Sequence, residues 1–179
     1  MDRINTPKPT GRSTISTMGS NVTLSKGYLV IHSAPAALTK HVEWAIQNLL
    51  GKAIVINWEP QPLVAGTHKT TIEWRDRLGA GAELASALRG WHYLRFEIRE
   101  ESVTENVLYR FTPELGIHRA LIDGAGSVLV TEHQLLGAMD HDEDSLRQAL
   151  ANAMGTAWDL ELEQFRRGDL NGMSQSQAI

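Results

Sequence analysis

The sequence predicts an α+β fold, with a ferredoxin-like βαββαβ core extended by an antiparallel meander and C-terminal helices that pack on the sheet. Apolar runs and helix caps alternate between Gly27 and Glu100 in the order strand, helix, strand, strand, helix, strand. The run Asp123–Gly126 is a strong turn signal between two strand-like segments. A helical pattern follows from Glu132 onward. This fold hosts enzymes, sensors, RNA binders and scaffolds, so it does not by itself select a function.

The strands are predicted from short apolar runs or from period-two alternation of apolar and polar residues. They are Tyr28–His32, Ala53–Trp58, Thr67–Arg75, Leu94–Arg99, Val107–Thr112, Gly116–Ile122 and Ser127–Thr131. The first helix is predicted to begin at the cap Ser33, with Pro35 in its first turn, and to end at Leu50 before Gly51. The other helices are predicted over Ala82–Arg89, Glu132–Met139 and Asp144–Arg167.

The chain is predicted to hold a single α+β domain over residues 27–167. Residues 1–26 are rich in Thr, Ser, Pro and Asn and lack any period, which predicts a disordered tail. Met18 lies in this segment, and we expect that translation could start there instead of at Met1. Residues 168–179 are predicted to be a frayed tail after the stop signal Gly168.

Composition and charge exclude several classes of protein. The net charge is −4, and residues 1–26 carry four basic residues and one acidic residue, so the remaining body carries −7. An acidic body disfavours nucleic-acid binding. The chain has no cysteine, which excludes thiol chemistry and fits a cytoplasmic setting. No apolar stretch predicts a membrane span, and the scattered histidines show no metal-ligand spacing, so we expect neither a metal nor a cofactor.

The first candidate site lies at the junction of the first strand and the first helix. His41 and Trp44 are three residues apart on the predicted helix, with Glu43 beside them, so they share one flank. His32 ends the preceding strand at a predicted helix N-terminus, where an anion could bind. These residues could bind a ligand or act as acid and base. Alternatively, His32 is structural, His41 is exposed at an edge and Trp44 packs at the core boundary.

Four tryptophans lie next to polar or charged residues in the sequence: Trp44, Trp58, Trp91 and Trp158. An indole offers an apolar face with one hydrogen-bond donor, which suits the mouth of a ligand pocket. The same residues can equally seal the rim of a core. Trp58 and Trp91 therefore join the candidate ligand-binding residues, with both interpretations open.

The second candidate site is an interaction surface. The outward positions of the predicted strands form a mixed-charge surface that includes Arg75, Arg95, Glu97 and Arg99. The last predicted helix carries two apolar stripes, and Trp158 belongs to the second. Such a width predicts either burial between two layers or contact with a partner, including a second copy of the chain.

Several segments together resemble an actinobacterial family, the domain-of-unknown-function 3145 family. They are His32–Leu38, His41–Trp44, Asn57–Pro62, Leu84–Trp91, Leu94–Glu97, Thr112–Ile117 and Ala157–Trp158. The resemblance runs from about Gly27 to Arg167. It implies no assigned activity and no catalytic residues. Members of that family are often encoded near genes of type II fatty-acid synthesis, which implies a connection to lipid metabolism.

These observations predict a non-enzymatic interaction or regulatory protein of the cytoplasm. Its partner would be another protein, a second copy of the chain or a small metabolite. The family resemblance implies a role in fatty-acid metabolism. The alternative is a small enzyme whose site combines His32, His41 and Glu43. That alternative requires these three side chains to converge on one concave pocket.

Overall fold

The structure is a computed structural model that describes residues 23–139 and 142–176, with side chains described as far as residue 167. The strands are β1 (Leu24–Pro35), β2 (Glu59–Pro60), β3 (Thr67–Arg77), β4 (Arg95–Glu101), β5 (Asn106–Thr112), β6 (Gly116–Ile122) and β7 (Val128–Leu129). The helices are a 3₁₀ turn (Ala36–Leu38), α1 (Thr39–Leu50), α2 (Ala80–Leu88), α3 (Glu132–Met139), α4 (Glu143–Met154) and α5 (Thr156–Ser176). The chain is therefore a mixed α+β protein, as the sequence predicts.

One sheet of seven strands organises the molecule, in the order β2-β3-β1-β4-β5-β6-β7. Every neighbouring pair is antiparallel. The longest strand, β1, lies between β3 and β4, so the segment that precedes α1 runs through the centre of the sheet. None of the described helices combines the length and the apolar character that crossing a membrane requires.

The inner face of the sheet, which carries the main apolar core, is covered by α1 and α2. Alternation along the strands directs large apolar side chains to this face. Buried residues of both helices pack against them, in particular Val42 and Ile46 from α1 and Leu84 and Leu88 from α2. The strand residues of this core include Leu29, Ile31, Ile72, Trp74, Phe96, Ile98, Val107, Tyr109 and Phe111.

The opposite face, called here the outer face, is partly covered by α5. Residues that alternate with the core positions point to this face, including Glu97 and Arg110. Helix α5 contacts β5 and β1 and buries Leu162 and Phe165. Arg75, which is on β3, is exposed on the outer face.

The first helix begins later than the sequence predicts. Ser33 and Pro35 belong to β1, because the strand continues until Pro35 pairs with Thr67 of β3. A register shift after Ile31 accommodates the additional residues. The chain then forms the 3₁₀ turn before α1 begins at Thr39.

The predicted strand Ala53–Trp58 is wrong, because only Glu59 and Pro60 pair with β3. The segment keeps a strand-like alternation, with Ile54, Ile56 and Trp58 packed against the core. The backbone of Ile54 bonds elsewhere, since its N–H donates to Gly51 at 3.3 Å and its carbonyl accepts from the Gln47 side chain at 3.1 Å. These bonds tie the segment to the end of α1.

Helix α2 begins at Ala80, two residues before the predicted start. The buried Glu100 carboxylate accepts hydrogen bonds from the backbone N–H groups of Gly79 at 2.8 Å and Gly81 at 3.2 Å. A carboxylate in this position satisfies two of the N–H groups that a helix N-terminus leaves free and interacts favourably with the helix dipole. The strand that supplies Glu100 therefore fixes where α2 starts.

The predicted helix Asp144–Arg167 is two helices, α4 and α5, because Gly155 between them has a left-handed φ of +68°.

Two chain-end predictions also change. Residues 24–26 belong to β1 instead of a disordered tail, and α5 continues to Ser176 beyond the predicted end at Arg167. The rest of the predicted N-terminal tail, including Met18, lies outside the described residues.

Candidate functional site

The predicted ligand-binding residues do not form one pocket. His41 is exposed on α1, and its ring stacks on Trp91, with 6.2 Å between the ring centroids and 22° between the planes. Trp44 lies one turn further along α1 on the same flank, with 66% of its surface exposed. These three residues, His41, Trp44 and Trp91, are called the aromatic patch.

His32 lies away from the aromatic patch, on the outer face of the sheet. Only 2% of its surface is exposed, and its Nε2–H donates to Glu97 Oε2 at 2.8 Å. Because Glu97 alternates with the core residues Phe96 and Ile98, it lies on the face opposite α1. The sheet therefore separates His32 from His41. The convergence that an enzyme site required is not present.

The remaining two candidate ligand-binding residues have local partners. Glu43 accepts a hydrogen bond from Lys40 at 3.2 Å on the surface of α1. Trp58 is half-buried and packs against the core, and its buried indole N–H has no hydrogen-bond partner among the described residues. Trp58 therefore behaves as a rim residue of the core, and Glu43 as part of an exposed ion pair.

The predicted interaction surface divides into two parts. Arg95 lies under α5, where it bonds to Glu161 at 2.9 Å and lies 5.4 Å from the centre of the Phe165 ring. Arg99 instead pairs with Glu101 at 2.8 Å, away from α5. Arg99 is half-buried and also donates to the Gly124 carbonyl at 3.3 Å, whereas Arg75 on β3 is exposed.

Glu97 is the centre of a group of charged residues between the sheet and α5. Arg166 from α5 forms a two-pronged ion pair with it, at 2.6 Å to Oε1 and 3.0 Å to Oε2. His32 and Arg110 of the sheet bond to the same carboxylate, Arg110 at 3.4 Å. We call Glu97, His32, Arg110, Arg166 and Asp159 the Glu97 network.

Asp159 connects the two arginines of the Glu97 network. Its Oδ1 lies 3.0 Å from Arg166 Nη1 and 3.2 Å from Arg110 Nη2. Arg166 also bonds to Glu163 one turn along α5, at 3.0 Å. The described contacts therefore leave both guanidinium groups paired with carboxylates from the sheet and from α5.

The electrostatics of the network favour its charged form. Burial by itself raises the pKa of Glu97, but hydrogen bonds from His32 and Arg166 outweigh burial and hold this pKa at about 2. Burial lowers the pKa of Arg166, but the bonds to Glu97, Glu163 and Asp159 raise it above its ordinary value. Glu97 is therefore a fixed anion at neutral pH, which suits a structural partner of α5 and does not suit a general base.

The C-terminal end of α4 is attached to the same face of the sheet. His118 Nε2–H donates to the carbonyls of Asn152 at 3.1 Å and Ala153 at 3.2 Å, and Arg110 donates to Met154 at 3.3 Å. These donors bind carbonyls that the helix leaves free. Burial lowers the pKa of His118, and its ring lies 4.9 Å from that of Trp158.

Trp158, the last predicted surface residue, is half-buried at this junction. Its indole N–H donates to the Gly116 carbonyl at 2.9 Å, which connects α5 to the start of β6. Among the described residues, no group of three or more histidines and carboxylates is arranged to hold a metal ion. Helices α4 and α5, called here the outer layer, are thus joined to the sheet by these polar contacts and by the buried Leu162 and Phe165.

The sequence does not predict which residues of α4 and α5 pair with residues of the sheet. Arg166 lies in the last turn of the predicted helix Asp144–Arg167, and His118 is one of seven histidines scattered along the chain. The available signal was an outward-facing Glu97 among arginines on a predicted strand, together with an acidic and arginine-containing helix. Charge alone does not show which residues meet, because Glu97 and Arg166 are 69 residues apart in the chain.

Comparison with known proteins identifies a family. The family described as "Protein of unknown function (DUF3145)" matches residues 28–174, which is most of the chain. No curated protein and no solved structure matches. The match covers every described strand and helix except the first four residues of β1 and the last two of α5.

Proposed function

We propose that this chain, which belongs to the DUF3145 family, is a non-enzymatic interaction protein that binds a protein partner through its aromatic patch. One observation carries the proposal: Trp44 has 66% of its surface exposed beside the stacked pair of His41 and Trp91. Tryptophan is enriched among the residues that dominate the binding energy of protein interfaces. Large exposed aromatic groups also mark interaction surfaces.

The shape of the aromatic patch favours a protein over a small metabolite. His41 and Trp44 are both exposed on the outside of helix α1. Small molecules bind in concave sites that bury most of the ligand, whereas protein partners cover convex surfaces. The exposed pair of Lys40 and Glu43 supplies polar neighbours of the kind that surround an interface centre.

The contacts that the acid–base candidates make support a binding role. His32 and Glu97 bond to each other, and Glu97 also holds Arg166 of α5. Glu43 pairs with Lys40 on the other side of the sheet. Each of these groups therefore has a structural partner, and none of them lines a common cleft with His41.

The finer fold assignment is also part of the proposal. We place the elements from β1 to β4 in a ferredoxin-like βαββαβ core. The order β2-β3-β1-β4, with every neighbour antiparallel and with α1 and α2 on one face, supports this assignment.

Absence of cysteine supports a cytoplasmic location. A connection to fatty-acid metabolism stays a prediction.

The proposal is tested by affinity purification of the tagged full chain from its native cells, followed by mass spectrometry. We expect a stoichiometric protein to co-purify with the wild-type chain and to be lost with Trp44→Ala. Val103→Ala is the matched control, because Val103 is 88% exposed on the loop between β4 and β5 and its truncation should leave capture unchanged. A Trp44→Ala chain that keeps its melting temperature establishes that the loss is local.

Two results would contradict the proposal. Capture of the same protein by wild-type and Trp44→Ala chains alike would remove the aromatic patch from the interface. A small metabolite retained without any protein partner would replace the binding role proposed here with ligand binding.

A further inference from the structure

The joint between α4 and α5 consists of a single residue. Helix α4 ends at Met154, α5 begins at Thr156, and Gly155 between them has a left-handed φ of +68°. The apolar periodicity of the sequence continues through this position, which is why the sequence predicts one helix over Asp144–Arg167. The backbone conformation of Gly155 therefore decides whether α5 folds back from α4 or continues it as one helix.

The contacts of α5 with the sheet do not depend on the joint. They include the ion pairs of Arg166 with Glu97 and of Arg95 with Glu161, and the buried side chains Leu162 and Phe165. The sheet surface carries Arg95, Arg110 and His32 around Glu97, and α5 supplies the complementary carboxylates and Arg166. The same surface on a second copy of the chain offers an identical set of partners.

We propose that two copies of this chain exchange α5. In this arrangement Gly155 becomes helical, α4 and α5 form one continuous helix, and α5 docks on the Glu97 network of the second copy. The second copy returns its own α5 in the same way, which closes a two-fold symmetric dimer. This exchange is independent of the aromatic patch and does not use it.

The hydrogen bonds at the joint are replaced in the exchanged form. The carbonyls of residues 152–154 now accept from His118 and Arg110. In a continuous helix they accept from the backbone N–H groups four residues later, so no carbonyl is left without a partner. Glycine disfavours the helical interior, which makes the exchanged dimer the minor form of the wild-type chain.

Gly155→Ala tests the exchange, because it should favour the continuous helix for two reasons. Alanine is a better helix former than glycine and is disfavoured at a positive φ. A Cβ at this position would also lie 2.5 Å from the His118 ring in the folded-back form. We expect light scattering after size exclusion to show the dimer-to-monomer ratio rising on the order of tenfold or more.

Gly137→Ala is the matched control for this measurement. Gly137 lies in α3, and a Cβ there would meet no atom within 4 Å. Its dimer-to-monomer ratio should equal that of the wild-type chain. A folded Gly155→Ala chain that stays monomeric at every concentration measured would overturn the proposal.

A mixed dimer distinguishes exchange from association through another surface. Glu97→Arg and Arg166→Glu each place like charges opposite each other within one chain. When the two full-length variants are co-expressed, each α5 can find an opposite charge on the other copy. We expect native mass spectrometry to detect a dimer that contains one copy of each variant.

Co-expression also covers the case in which either variant alone does not fold, because each chain then meets its complement during folding. Dimers of Gly155→Ala without any mixed dimer of the charge variants would overturn the exchange. That result would mean that the copies associate through a different surface.

Discussion

The two helix layers of this protein are attached to the same sheet by different physical means. On the inner face, α1 and α2 bury Val42, Ile46, Leu84 and Leu88 against an apolar core. On the outer face, α5 is joined to the sheet largely through the Glu97 network, with few buried apolar side chains. The attachment of α1 and α2 depends on apolar area removed from water, and the attachment of α5 depends largely on matched charges.

This difference affects how each layer responds to conditions. Apolar burial is non-directional and does not require ionised groups, so the apolar contacts of the inner layer should be indifferent to moderate changes of pH. Buried ion pairs add little net stability but are costly to break when one partner is removed. The outer layer should therefore be specific in its docking, sensitive to protonation and able to separate from the sheet without exposing a large apolar core.

The largest effect should come from the inner layer. Phe96 is fully buried and its ring lies 5.1 Å from that of Phe111. Phe96→Ala removes this packing and leaves a cavity, so we expect the free energy of unfolding to fall by about 3–5 kcal/mol in urea denaturation. Tyr93→Ala is the control, since Tyr93 is 69% exposed and its truncation should cost only about 0.5 kcal/mol or less.

An intermediate effect should come from acid acting on the outer layer. The pKa of Glu97 is about 2 in the folded chain and near 4.5 without its partners. A lowered pKa contributes stability above pH 4.5, and that stability is lost as the pH falls from about 4.5 to about 2. The shift corresponds to about 3 kcal/mol, and denaturation at several pH values should reveal it.

Glu97→Gln sharpens the acid prediction, because the variant has no carboxylate to protonate. It should lose stability at neutral pH and show a flatter dependence on pH over the same range. Phe96→Ala, by contrast, should keep the wild-type slope. Equal slopes for wild-type and Glu97→Gln chains would mean that the Glu97 network does not govern the outer layer.

The smallest effect should come from the attachment of α4. His118→Ala removes the donor to the Asn152 and Ala153 carbonyls, and we expect a loss of about 1–2 kcal/mol near pH 8. Burial lowers the pKa of His118 in the folded chain, so the unfolded chain binds the proton more readily and the wild-type chain becomes less stable as the pH falls below 6.5.

Hydrogen exchange localises the His118 effect. Faster exchange in His118→Ala should be confined to α4 and the start of α5, while the amides of α1 and α2 keep their protection. Exposed His133 on α3 supplies the control substitution. Faster exchange across the inner layer would show that the two layers unfold together and are not stabilised separately.

The sequence predicts the bounds of some elements well for a physical reason. Period-two and helical apolar patterns record which side of an element faces a core, and they located β6 and α3 at their observed bounds. Errors arise where specific hydrogen bonds override the pattern. Glu100 from β4 moves the start of α2, and the bonds of Ile54 to the end of α1 keep residues 53–58 out of the sheet.

The candidate site was only partly predictable. The spacing of His41 and Trp44 places both on one flank of a helix, which follows from helix geometry alone. The stack of His41 on Trp91 joins residues from separate elements and requires the fold. The predicted pocket failed because His32 continues a strand and faces the opposite side of the sheet from α1.

The sequence by itself determined the α+β class, the apolar face of most elements and the family, because these depend on local periodicity and on motifs within short segments. Tertiary structure alone decided that Glu97 pairs with Arg166, that His118 holds the end of α4 and that Gly155 interrupts a predicted helix. Ion pairs and caps depend on which distant residues meet. That information lies in the packing of the layers and not in the pattern of any one segment.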